Sequence, residues 1–176
     1  MKTLFAALLL TGFLFSASAS SAETQSASAE IKGASSGSTV EGTVRFTETP
    51  QGLQVSAQVR NAPPGKHGFH IHEFGSCADA GAAAGGHFNP AHVEHGDAVK
   101  NGPAHAHPGD MGNLEVGADG TGKLDAVLPE VTLSAGKYAV AGRAVILHEK
   151  EDDFGQPTGN AGSRIGCGPI LLTKES

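Results

Sequence analysis

Val40-Glu41-Gly42-Thr43-Val44-Arg45-Phe46 alternates small or apolar residues with polar ones. Successive strand side chains point to opposite faces, so Val40, Gly42, Val44 and Phe46 face a core while Glu41, Thr43 and Arg45 face water. Leu53, Val55, Ala57 and Val59 repeat the pattern a few residues on. Asp119-Gly120 separates Leu114 and Val116 from Leu124, Ala126 and Leu128, the layout of a hairpin. Pro63-Pro64-Gly65 marks a turn. Tyr138 to Leu147 and Pro169 to Leu172 read as further strands, and residues 23–28, small and polar, as a loose end. No convincing amphipathic helix is present, and glycine supplies 25 of 176 residues, as many tight turns require. The expectation is an all-β fold, an antiparallel Greek-key β-barrel or sandwich.

Glu73 to Met111 breaks this pattern, as does Glu149 to Gly166. Irregular stretches of that length in a small domain serve a function, because something must offset the entropy of ordering them. Both flank histidines, of which the chain has nine. His70 and His72 lie two apart on a strand, so they share a face, while His67, Phe69 and Ile71 take the opposite one. His148 closes the apolar run Ala144 to Leu147. His87, His95 and His107, with Asp110, fall in the first irregular stretch. Imidazole is the commonest protein ligand for zinc and copper, and three imidazoles with one carboxylate suit a closed tetrahedral zinc site. A His-x-His pair alone also fits two surface histidines.

The chain opens with Lys2, an apolar run from Leu4 to Phe15, and small residues up to Ala22. That is the layout of a secretory signal peptide, too short for a permanent span. The expected domains are a signal over 1–22 and one domain over 23–176, with no stable membrane anchor. The net charge of −6 argues against nucleic acid, whose phosphates need basic patches. Only Cys77 and Cys167 are present. In an exported chain an even count points to a disulfide; closing a loop of about 90 residues is valued at about 4–5 kcal/mol by loop entropy. The alternative, two thiolate metal ligands, lacks any Cys-x-x-Cys spacing.

Five ordered motifs carry a resemblance to the copper/zinc superoxide dismutase family. Gly68-Phe69-His70-Ile71-His72-Glu73-Phe74-Gly75 resembles the copper-ligand strand. Gly86-His87-Phe88-Asn89-Pro90 is similar to the bridging-histidine motif. His107-Pro108-Gly109-Asp110-Met111-Gly112-Asn113 resembles the zinc-ligand turn. Val145-Ile146-Leu147-His148-Glu149 and Gly159-Asn160-Ala161-Gly162-Ser163-Arg164 complete the set, followed by Cys167. The resemblance runs over essentially the whole of residues 23–176 and implies long metal-binding and electrostatic loops on the barrel.

It implies copper held by His70, His72, His87 and His148, and zinc held by His87, His95, His107 and Asp110. His87 would serve both ions, as catalytic bridge, one through each ring nitrogen. Asp152, or Asp153 in its place, matches a carboxylate that orients a copper and a zinc histidine together. Cys77 and Cys167 match the family disulfide. Arg164 matches a catalytic arginine beside copper, although it could equally brace backbone carbonyls. His67, His92 and His105 match no ligand position. The implied activity converts superoxide, the anionic substrate, to dioxygen and hydrogen peroxide.

The segment from His148 to Arg164 is shorter than in familiar eukaryotic members, and with the Gly/Ala-rich stretch at Ala78 to Gly86 it resembles the exported bacterial branch. Periplasm is the expected location, with an extracellular one as alternative. Lys150 is the segment's only lysine, so Lys100 is a further candidate for steering. A homodimer is possible without being determined. The rival readings are a non-catalytic exported copper/zinc-binding protein on the same fold and a structural interaction module.

Overall fold

The structure, a computed structural model, describes residues 24–174, so the expected signal segment lies outside the described residues. Nine strands form in chain order: β1 (Ser26–Gly33), β2 (Glu41–Thr49), β3 (Gly52–Arg60), β4 (Gly65–His72), β5 (Asp110–Val116), β6 (Gly122–Leu128), β7 (Ala144–His148), β8 (Arg164–Pro169) and β9 (Leu171–Thr173). They line up as β2-β3-β6-β5-β4-β7-β8-β1-β9, and β1 also pairs with β2. That last pairing closes eight strands into a barrel with no free edge between them. Every strand pair is antiparallel. The β3–β6 and β4–β7 neighbours are the crossovers of a Greek key.

Binary patterning builds this barrel. Val44, Phe46, Leu53, Val55 and Val59 are buried with none of their surface left to water, and β2 pairs with β3 from Glu41↔Arg60 to Thr49↔Gly52. Their outward neighbours carry charge, as in the exposed Arg60–Glu41 pair at 2.7 Å. Full burial of one such side chain contributes about 1.5–3 kcal/mol. Phe46→Ala would therefore cost about 3–5 kcal/mol with its cavity included.

Three sequence expectations shift. Residues 26–28 are not loose: β1 begins at Ser26 and buries Ala27, Ala29 and Ile31 against β2. The strand expected from Tyr138 starts only at Ala144. Gly142, at φ 80°, and the Arg143 N–H to Val140 carbonyl bond (3.1 Å) make a turn of the preceding residues. The C-terminal strand is split into β8 and β9 at Ile170, whose N–H donates to the Arg143 carbonyl. One short helix also forms, α1 (Ala98–Asn101), with Asp97 capping it through the Lys100 N–H. The first irregular stretch ends at Gly109 and the second at Ser163, because Asp110, Met111 and Arg164 to Gly166 belong to strands.

Candidate metal centre

The β4 strand presents His70 and His72 on one face, and β7 lies directly beside it, with His70 opposite Ile146 and His72 opposite Ala144. His148 ends β7 and so reaches the same place. The chain then returns along β4: Phe88 N–H donates to the Ile71 carbonyl (2.9 Å), and His72 and His87 form a single antiparallel bridge. A second approach comes from Gly109, whose carbonyl accepts the Ile71 N–H (3.0 Å). A Cβ on Gly109 would lie 2.6 Å from Ile71 Cβ, so only glycine lets this turn dock. The turn delivers His107 and Asp110.

Six imidazoles thereby meet. His70, His72, His87 and His148 form one set of converging ligand atoms, and His87, His95, His107 and Asp110 form a second; all are buried. The ring centroid of His87 lies 4.3 Å from His70, 4.9 Å from His72, 5.3 Å from His95, 5.5 Å from His107 and 6.0 Å from His148. His87 therefore stands between the two sets.

The outer nitrogens are all taken by acceptors. His72 Nδ1 donates to the Gly85 carbonyl (3.0 Å), and His148 Nδ1 to the Gly162 carbonyl (3.1 Å). A carbonyl can only accept, so each ring carries its proton on Nδ1 and turns a lone pair inward on Nε2. His70 Nε2 donates to Asp152 Oδ2 (2.8 Å) and His95 Nε2 to Asp152 Oδ1 (2.9 Å). The inner Nδ1 atoms of His70 and His95 are buried with no hydrogen-bond partner. His95 Nδ1 lies 2.7 Å from Asp110 Oδ2 at an angle unsuited to a hydrogen bond, as for two ligands aimed at one ion. Asp110 also reaches His87 Nδ1 (2.9 Å) and His107 Nδ1 (3.1 Å). The donor set fits metal: four neutral imidazoles on one side, three imidazoles and a carboxylate on the other.

Charge follows the same logic. Burial lowers His72 to about 2 and His148 to about 3, so both are uncharged ligands at neutral pH. Burial also lowers His87 to about 4, against the opposing hydrogen bond to Asp110. His95 goes the other way: burial opposes its charge, but Asp110 and Asp152 raise it to about 9. Asp110 is desolvated, yet hydrogen bonds from His107, His87 and His95 hold it well below the usual carboxylate range.

Asp152 also converges with His70 and His95, but direct hydrogen bonds already account for that trio. Of the two neighbouring acids, Asp152 is buried between the histidines; Asp153 is exposed and binds Gly155 N–H and Asn160 instead. Asn113, unremarked in the sequence beyond its motif, clamps Asp152. Its amide donates to the Asp152 carbonyl (2.9 Å) and accepts the Asp152 N–H (2.8 Å).

Arg164 sits on β8 opposite His148, half-buried. Its guanidinium donates to the Gly81 carbonyl through Nη1 and to the Gly85 carbonyl through Nη2 (2.6 Å). The Cys77–Cys167 disulfide, with Cα atoms 5.8 Å apart, ties that loop to β8. His67 is buried between the carbonyls of Pro63 and His148, outside both sets. His92 and His105 are exposed. Lys100 pairs with Asp97 at 2.7 Å, which spends the charge proposed for steering.

A Greek-key barrel with two ligand sets meeting at one imidazole defines a β-barrel metalloprotein with a paired-metal centre. The family described as Copper/zinc superoxide dismutase (SODC) matches residues 40–170. Superoxide dismutase (Cu-Zn) of Onchocerca volvulus is 37% identical over 148 residues, spanning 77% of this chain and 91% of that protein. Extracellular superoxide dismutase (Cu-Zn) of Drosophila melanogaster is 42% identical over 143 residues, spanning 74% and 75%. A crystal structure described as the clock protein EA4 superposes with a TM-score of 0.74 at 35% identity, covering 84% of this chain and 94% of that one. The chain belongs to the copper/zinc superoxide dismutase family. It is an oxidoreductase that converts superoxide to dioxygen and hydrogen peroxide with copper and zinc, which favours the enzyme over the carrier and the interaction module.

Proposed function

We propose that His70, His72, His87 and His148 hold copper, that His87, His95, His107 and Asp110 hold zinc, and that His87 serves both. The central position of the His87 ring, in reach of all five other imidazoles, carries this assignment. Copper supplies a one-electron couple that zinc, with its filled d shell, lacks. His87 Nε2 then has a second task. Freed in the half-reaction that yields dioxygen, it takes up a proton. In the other half it gives that proton to the departing peroxide, the second proton coming from solvent. His87 Nδ1 stays on the zinc side throughout, so the ring pivots without leaving.

Asp152 fixes His70 and His95 with one carboxylate and so keeps both inner nitrogens aimed. Arg164 supplies the fixed positive charge that draws in superoxide. Its two carbonyl contacts hold the guanidinium beside His148 rather than remove it from this task. A local cation must overcome the overall charge of −6.

The protein is exported on this reading, with residues 1–22 as signal and 23–176 as mature domain, and the periplasm is its compartment. The apolar N-terminus, the disulfide and the relatives named extracellular support export. Among the described residues no helix is long and apolar enough to cross a membrane. Superoxide consumption by protein carrying both metals, against protein carrying zinc alone, tests the roles. Activity in the zinc-only form would contradict them.

A further inference from the structure

We propose that Gln156 is a positioning residue for zinc: with the Phe154 ring it latches His95 and sets how fast zinc leaves the centre. The inference rests on the assignment of His95 to the zinc set.

His95 belongs to no strand. Its N–H donates to Gln156 Oε1 (3.0 Å) and its carbonyl accepts from Gln156 Nε2 (2.9 Å). One primary amide thus satisfies both backbone groups of one residue, from 61 positions away, as a neighbouring strand would. The imidazole is gripped from the same segment through Asp152. Phe154 completes the hold, its ring lying over His95 with centroids 6.3 Å apart and planes 20° apart.

Phe154 is 41% exposed and has φ 59°, a conformation bulky residues avoid. Its N–H is spent on Asp152 Oδ1 (2.8 Å), which fixes that backbone turn. An aromatic ring kept half in water by unfavourable backbone geometry, and laid on a ligand, functions as a cover.

The arm carrying these residues is knit to itself. Asp153 Oδ1 accepts the Gly155 N–H (2.8 Å), Gly159 N–H donates to the Gly155 carbonyl (2.7 Å), and Asp153 N–H to the Gly159 carbonyl (2.9 Å). It can therefore move as a unit. The other zinc-side ligands are anchored differently: His87 by the returning strand on β4, His107 and Asp110 by the turn docked on Ile71. His95 alone among them has both backbone partners on an exposed side chain, so it is the ligand that can withdraw without opening the barrel.

The test follows zinc and copper separately as the fully loaded protein is challenged with a chelator, in wild type, Gln156→Ala, Gln156→Glu, Phe154→Ala and His107→Ala. Losing two partly exposed hydrogen bonds should speed zinc release about tenfold in Gln156→Ala. Gln156→Glu keeps the acceptor and loses the donor, so its effect should be smaller, and copper release should be unchanged in both. Phe154→Ala should also speed zinc alone. Wild-type zinc release in Gln156→Ala and Phe154→Ala, or equal acceleration of both metals, would overturn the latch. Loss of zinc in His107→Ala alongside wild-type release in Gln156→Ala sinks the latch and leaves the zinc set standing. Normal zinc in His107→Ala removes the zinc set, and the latch with it.

Discussion

Nε2 of His72 and Nε2 of His148 face each other at 3.3 Å, and neither has a proton to offer. Each ring spends its N–H on a backbone carbonyl, Gly85 for one and Gly162 for the other. Two lone pairs at that separation repel unless a cation lies between them. The barrel therefore holds its histidines in an arrangement that a metal stabilises and water does not.

The metal-free protein should accordingly lose stability in acid. Burial lowers His72 to about 2, His148 to about 3 and His87 to about 4, whereas the unfolded chain titrates near about 6.5. Unfolding below that value takes up protons at all three, so their contribution is complete above about pH 6.5 and falls with pH, by up to about 4 kcal/mol per unit near pH 5. His95, raised to about 9, has the opposite sign: its contribution is complete below about 6.5 and fades as pH climbs toward 9. Urea midpoints of apoprotein at about pH 5, 6.5 and 8.5 check this. The middle value should be highest, and a midpoint that rises on acidification would count against it.

Arg164→Glu should slow turnover by about ten- to a hundredfold at low salt, with copper and zinc content unchanged. Arg164→Lys keeps the charge and should fall between, since an ammonium cannot hold two carbonyls in a planar fork. The wild-type advantage should shrink as salt rises. Steady-state rates across ionic strength decide; equal rates for Arg164→Glu and wild type at low salt would remove Arg164 from the reaction.

Gly85 joins the copper side to that arginine, because its carbonyl accepts from both His72 and Arg164. A Cβ there would lie 2.6 Å from Glu73 Oε2 and 2.8 Å from the Phe74 ring, at φ 76°. Gly85→Ala should cost about 1–3 kcal/mol and lower activity beyond any loss of metal. Gly37→Ala is the control: φ is also positive, at 82°, but the space is open and the centre distant. It should lower the melting temperature alone. Matching activity losses in the two variants would refute the link.

Replacing Cys77 and Cys167 by serine should cost about 4–5 kcal/mol if loop entropy dominates, given 90 intervening positions. The same change frees the loop whose Gly81 and Gly85 carbonyls hold Arg164. Calorimetry with an activity assay should find specific activity per copper reduced as well as stability. Unchanged activity per copper would confine the disulfide to a stabilising role.

Much of the barrel was legible because β2, β3 and β6 follow a period of two with large apolar residues on one face. The β1 strand was missed because Ser26, Ala27, Ser28 and Ala29 carry little hydrophobic contrast, and pairing with β2 supplies what composition does not. The Tyr138 start failed because the residues before Ala144 look strand-like but turn at Gly142. At the centre, His70 and His72 were readable as a same-face pair, while joining the six histidines needed family resemblance. The Arg164 contacts to Gly81 and Gly85 span 83 and 79 positions, and the Gln156 grip on His95 spans 61. Side chain to backbone contacts at such range leave no local pattern to read.

The shared ring is tested most directly by electron paramagnetic resonance of protein carrying Cu(II) with Co(II) in place of zinc. One imidazole joining the two ions couples their spins, so the ordinary Cu(II) signal should be lost in wild type and return in His87→Gln, which has no ring to join them. A full, uncoupled Cu(II) signal in the wild-type protein loaded with both ions would contradict the shared histidine.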